Sequence, residues 1–206
     1  MKTEFLSVNK TTIVSVYDNI PIQTISRDEL LTIIPNQNPG LQDFPQRQIS
    51  LLFFDLGQTI CHITNQRIIV ETDDIERKKA LTEIFSKTNS LIRECSKLIA
   101  YGFNYTLLYR VLAKNSTKFI SEIFLKNIES IEEKGNGKVV FSSVAFDIQR
   151  DGEKIKFDVK PVEKDVILIQ TNVHFDRKNL PSDIEIENDF MQKLNLSKDL
   201  LKKIMG

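Results

Sequence analysis

The sequence predicts an α+β protein with a large, mostly antiparallel sheet made of two three-strand meanders plus a central strand. Two long helices are expected on one face, with further helices at the C-terminus. Three observations carry this. Lys154-Ile155-Lys156-Phe157-Asp158-Val159-Lys160 alternates apolar and charged residues, and a strand sends successive side chains to opposite faces, so this segment has one dry and one wet face. Residues 98–111 alternate at the same period. Apolar residues recur at helical spacing in 74–97 and 117–133, between and beside the strand-like runs.

Taken in order, residues 4–8 and 12–17 are short β candidates, rich in β-branched and aromatic side chains (Ile13, Val14, Val16, Tyr17). Ser26-Arg27-Asp28-Glu29 fits a capping box, in which the serine hydroxyl and the glutamate carboxylate satisfy free amides at a helix start. A helix of about two turns through Ile34 should follow, stopped by Pro35. Residues 36–48 contain two prolines, a glycine and several amides, and read as a long loop. Residues 1–48 are therefore expected as an N-terminal arm on the main body, 49–206, of a single domain spanning 1–206.

The first meander is expected at 49–54, 59–64 and 67–72, with turns at Asp55-Leu56-Gly57 and Asn65-Gln66. Its helix, 74–97, begins beneath Asp73 and Asp74, whose charges suit the positive pole of the helix dipole. Leu81, Ile84, Phe85, Ile92 and Cys95 mark the buried stripe. In 98–111, Ile99, Tyr101, Phe103, Tyr105, Leu107, Tyr109 and Val111 share one face, which places this strand centrally. A helix over 117–133, capped by Asn115 or Ser116 and ended by Gly135, should bury Phe119, Ile120, Ile123, Phe124, Ile128 and Ile131.

Gly135-Asn136-Gly137 leads into the second meander. There Asp151-Gly152 is a two-residue hairpin signal, because glycine accepts the positive φ of a type I′ turn. With that loop Arg150 faces Glu153, Asp147 faces Lys156, and Val144, Phe146 and Ile148 share the dry face with Ile155, Phe157 and Val159. The third run turns Ile167, Ile169, Thr171, Val173 and Phe175 one way, and Gln170, Asn172 and His174 the other. An acidic amphipathic helix at about 183–193 and a last helix capped by Ser197 complete the chain. Residues 49–97 and 138–193 both read as three strands and a helix, an architectural echo without appreciable identity.

Composition narrows the function. Lys+Arg and Asp+Glu both total 28, so the net charge is zero. That argues against a protein that coats DNA or a membrane surface, and leaves little charge repulsion against association. Cys61 and Cys95 lack metal-ligand spacing and are expected as buried free thiols. The N-terminus has no apolar h-region and no window approaches the ~18 apolar residues of a membrane span, so the expectation is a cytoplasmic protein with no membrane partner.

Two strings resemble known sites. Leu52-Phe53-Phe54-Asp55-Leu56-Gly57-Gln58-Thr59 resembles the phosphate-binding turn of actin-like and sugar kinases, D-x-G-x-T after an apolar strand. It also resembles motif I of haloacid-dehalogenase phosphatases, although Gly57 stands where the second aspartate belongs and a strand follows in place of a helix. The local reading is a hairpin that uses Asp and Gly for its turn geometry. Asp147 with Asp158-Val159-Lys160 resembles the D…(D/E)-x-K signature of restriction-endonuclease-like nucleases, which implies two carboxylates on Mg²⁺ and a lysine that helps activate water or stabilises charge.

The remaining candidates read as structural. Cys61 and His62 are adjacent on a strand and point to opposite faces, so they cannot form a nucleophile–base pair. His174 reads as a surface or interface residue. Asp183, Glu185, Glu187 and Asp189 read as the wet side of a helix start, and the 98–111 aromatics as core in preference to a base-stacking sheet. Without a nucleophile elbow, dinucleotide loop, Walker loop or H-E-x-x-H, the expectation is no cofactor and no catalytic or metal residues. What remains is a non-catalytic interaction or assembly module of microbial type, partnered by another protein or by itself. The alternative is a Mg²⁺-dependent nuclease using Asp147, Asp158 and Lys160.

Overall fold

A computed structural model describes residues 2–34, 39–112, 115–125, 128–135, 140–150 and 152–206. Its strands are β1 (Thr3–Tyr17), β2 (Gly40–Phe44), β3 (Ile49–Phe54), β4 (Thr59–Thr64), β5 (Arg67–Thr72), β6 (Leu98–Val111), β7 (Val144–Arg150), β8 (Glu153–Pro161) and β9 (Val166–Phe175). Its helices are α1 (Arg27–Leu31), α2 (Lys78–Ile92), α3 (Ser116–Phe124), α4 (Ile128–Gly135) and α5 (Asp183–Met205). The nine strands form one sheet in the order β2-β3-β4-β5-β1-β6-β9-β8-β7, and every neighbouring pair is antiparallel.

That order extends the echo seen in the sequence. Read inward to the β1–β6 seam, β3-β4-β5-β1 on one side is matched by β7-β8-β9-β6 on the other. Each half opens with a long strand, crosses through helix, lays down a three-strand meander and closes with a helix on the core. Two such units joined edge to edge give a sheet wide enough for one continuous core. The core takes alternate residues of each strand: Ile13, Leu52, Cys61, Val70, Phe103, Phe157 and Val173 are fully buried. Leu30 of α1, Phe85 of α2, Phe119 of α3 and Phe190 of α5 belong to the same cluster, so these four helices lie on one side of the sheet.

Several elements differ from the sequence reading. The N-terminal arm is absent as such: β1 is one continuous strand of 15 residues and the middle strand of the sheet. Register shifts between Phe5 and Ser7 and between Val8 and Lys10 mark bulges, which is why the pattern reads as two short pieces. The 36–48 loop contains β2, held by its pairing with β3, a tertiary constraint that local composition does not show. Residues 35–38, including Pro35, lie outside the described residues. Helix α1 has the expected capping box but ends at Leu31, earlier than the two turns expected.

The 117–133 helix is two helices, and Ile131 is 51% exposed instead of buried. Asn115 is the cap, its side chain accepting from the Lys118 amide. Conversely the two C-terminal helices are one helix of 23 residues. Ile186, Phe190, Leu194, Ser197, Leu201 and Met205 form an unbroken buried stripe at spacings of three and four, with no breaker between them. Ser197 is no cap: it is buried and its hydroxyl donates to the Lys193 carbonyl 2.8 Å away. The cap is Ser182, in a capping box with Glu185.

The second meander has the register read from sequence: Arg150 opposite Glu153, Asp147 opposite Lys156, Phe146 opposite Phe157. Gly152 has φ +70°, as the hairpin requires; Asp151 lies outside the described residues, as do Asn136, Gly137 and Lys138. In β6 the aromatics are core, but Ile99 is 52% exposed because a register shift opposite Val16 and Tyr17 turns Leu98 inward in its place. Cys61 is buried, and burial pushes its thiol up to about 12. Cys95 is exposed beyond the end of α2, correcting the expectation of two buried thiols.

Candidate functional site: the open face of the sheet

Side chains of the other parity form the face opposite the core, and the strand registers give their neighbours across the sheet. One row runs Phe53, Ile60, Glu71, Thr12, Asn104, Asn172, Lys156, Asp147. The next runs Leu51, His62, Ile69, Val14, Gly102, His174, Lys154, Gln149. The first row is apolar at Phe53 and Ile60 and turns polar at Glu71; the second carries Leu51, Ile69 and Val14 with His62 among them, and turns polar beyond Gly102. Val16, Ile49 and Phe44 extend the apolar side, and all of its aliphatic and aromatic members are half-buried. None of them belongs to, or packs against, the core cluster.

This asymmetry is written in the strands. β7 and β8 alternate apolar with polar, as a strand with one wet face should. In β3, Leu51, Leu52, Phe53 and Phe54 are apolar on both faces, and in β5 so are Ile68, Ile69 and Val70. Strands of that kind are normally covered on both sides. Here the helices cover one.

Within the apolar side, between Leu51 and Ile69 in one row and between Ile60 and Thr12 in the other, His62 and Glu71 meet Lys10 of β1. Lys10 Nζ is 2.8 Å, and His62 Nε2 3.5 Å, from Glu71 Oε1. The His62 ring and the Lys10 ammonium lower the Glu71 carboxyl from 4.5 to about 2, against the opposing push of burial. Because folding lowers this pKa, the stabilisation is full above about 4.5 and disappears as pH falls towards 2. A Glu71→Gln variant should therefore melt below the wild type at neutral pH and converge with it in acid, which thermal melts across pH would show.

The polar side carries the residues of the nuclease resemblance. Asp147, Asp158 and Lys160 share the face, as the register implies, but each carboxylate has its own lysine. Asp147 lies 2.6 Å from Lys154, and Asp158 3.5 Å from Lys160. Lys160 also donates to Gln170 Oε1 over 3.1 Å. Among the described residues no three His, Cys, Asp or Glu side chains are grouped to hold a metal ion. Across the β1–β6 seam lies an open concavity of about 490 Å³, lined by Lys10 and Thr12 on one side and by Asn104, Lys156, Asp158 and Gln170 on the other. Asn172 donates its amide to Asn104 Oδ1 in the floor.

The other sequence candidates have structural placements. Asp55 has φ +49° and Gly57 φ +89° in the single turn between β3 and β4, the turn role read from sequence. The Asp55 carboxylate accepts from Arg77 over 2.6 Å, tying that turn to the approach to α2. Cys61 and His62 face opposite ways, the thiol against Thr88 in the core. His174 contacts Asp176 at 2.9 Å on the surface. At the start of α5, Asp183 accepts from Ser86 of α2, and Glu185 closes the cap. Tyr101, Phe103, Tyr105 and Tyr109 are buried, so they offer no stacking platform.

Sequence reasoning missed the apolar patch. The signal was there, in the two-faced strands at 49–54 and 67–72, but single-strand alternation does not say which face a helix will take. Comparison with protein-family models gives no match, and comparison with curated proteins gives no significant match. Among the described residues, no helix is long and apolar enough to cross a membrane.

Proposed function

We propose that this chain is a non-catalytic protein-interaction and assembly module that self-associates by packing the apolar side of its open face on that of a second copy. The observation that supports it best is the pairing of two-faced apolar strands with one-sided helical cover. Leu51, Phe53, Ile60, Ile69, Val14 and Val16 share this face, with the His62–Glu71 pair among them, where a second sheet can pack about 10 Å away. Apolar groups gathered on a solvent-facing sheet surface mark interaction sites more often than isolated apolar residues do. Zero net charge places no long-range repulsion against such pairing. The candidate carboxylates of the polar side are engaged by neighbouring lysines, which suits a solvated rim.

Light scattering on the full chain tests this. The expected mass is twice that of the chain, falling to one chain in the double variant Leu51→Lys, Ile69→Lys. Both side chains lie outside the core, so the variant should keep its circular dichroism spectrum and, apart from the loss of concentration dependence, its melting behaviour. A wild type that is monomeric at every attainable concentration would end the proposal.

A further inference from the structure

We infer that the cleft between the C-terminal end of α2 and the segment joining β9 to α5 binds a small organic phosphate. Tyr17 in its lining directly follows Val16 of the patch, but its side chain belongs to the core cluster on the opposite side of the sheet, so the cleft and the patch lie on different faces. Its volume is about 490 Å³, within the range of ~300–1,000 Å³ that small ligands occupy. Arg93, Lys97 and Lys178 supply three cations to its lining, and Tyr17, Leu98 and Leu180 supply apolar surface. Glu94 is the one carboxylate in the lining, which leaves an excess of two positive charges. Ser96 and Asn179 add neutral hydrogen-bonding groups.

Elsewhere among the described residues some basic side chains have an acidic partner: Lys10 has Glu71, Arg77 has Asp55, Lys154 has Asp147 and Lys193 has Glu153. Arg93, Lys97 and Lys178 form no such bridge among the described residues. Asp18, which follows Tyr17, accepts from the backbone amides of Asn19 and Lys97 and also interacts with the Lys97 charge.

Cations often gather at a helix C-terminus to satisfy its carbonyls. Here the Arg93 amide bonds the Asn89 carbonyl, and the Cys95 amide and thiol both bond that of Ile92, so two of the last four carbonyls of α2 have donors from the chain itself. Arg93 and Lys178 have no ion-pair partner among the described residues. A phosphate monoester carries about −1.5 to −2 at neutral pH, which matches the local excess better than a single carboxylate does. The apolar floor calls for an organic body attached to it.

Isothermal titration of the full chain with phenyl phosphate, inorganic phosphate and phenol reads this out. Phenyl phosphate should bind roughly tenfold more tightly than inorganic phosphate, phenol should give no measurable heat, and added salt should weaken binding. The double variant Arg93→Gln, Lys178→Gln should lose roughly tenfold in affinity while melting as the wild type does. Absence of phenyl phosphate binding, or equal binding by the variant, overturns the assignment. So does a polyglutamate peptide that outcompetes phenyl phosphate, because the cleft would then serve an acidic polypeptide.

Discussion

Replacing Asn89 by alanine should destabilise the protein by about 3–5 kcal/mol in a urea titration, the largest effect expected of one substitution outside the apolar core. Asn89 is 1% exposed and lies on the face of α2 that meets β1. Its Oδ1 accepts from Ser15 Oγ and from the Tyr17 hydroxyl, both at 2.6 Å, and its amide donates to the Phe85 carbonyl at 2.6 Å. Alanine leaves two hydroxyls buried without an acceptor, and each stranded group costs about 1–3 kcal/mol. Burial also pushes the Tyr17 phenol well above its ordinary range, so it cannot relieve the loss by ionising. The triple variant Ser15→Ala, Tyr17→Phe, Asn89→Leu should recover most of the stability by removing the polar groups together. A loss below about 1 kcal/mol in the single variant would show that this network contributes little.

Gly102→Ala should cost about 3 kcal/mol for a single added methyl. Gly102 is buried at the centre of β6 on the open-face side, with Val14 and His174 opposite it on either side. A Cβ built there comes within 2.5 Å of the Val173 carbonyl oxygen. That neighbour is backbone in the adjacent strand, so relief requires β6 and β9 to separate, and both carry the core. The Ala variant should therefore lose stability in urea without losing the Leu51–Ile60 patch. A neutral Gly102→Ala would mean the two strands can part at no cost.

These two residues show what the sequence made legible and what it did not. The strand alternation from Val144 to Phe175 fixed both register and inward face, because a period of two with charged partners admits one assignment. It placed Asp147 against Lys156 correctly, and Asp158 on the same wet side. Gly102 and Asn89 were invisible by contrast: one reads as a small residue in a strand and the other as a polar residue in a helix. Their importance comes from a carbonyl and two hydroxyls contributed by segments distant in sequence.

The misread elements fail for the same kind of reason. β2 exists because β3 pairs with it, and α5 continues through Ser197 because its buried stripe continues. The candidate surface was half legible: Leu51, Phe53 and Ile69 showed that these strands want cover on both faces. That α1, α2, α3 and α5 all cover the same face is a property of the assembled topology.

Site-specific cross-linking tests the central claim most directly. A photoreactive amino acid placed at Ile60, inside the apolar patch, should join two copies into a covalent dimer. The same group at Gln170, on the polar side, should leave single chains. Equal dimer from both positions, or none from Ile60, would contradict assembly through the apolar side of the sheet.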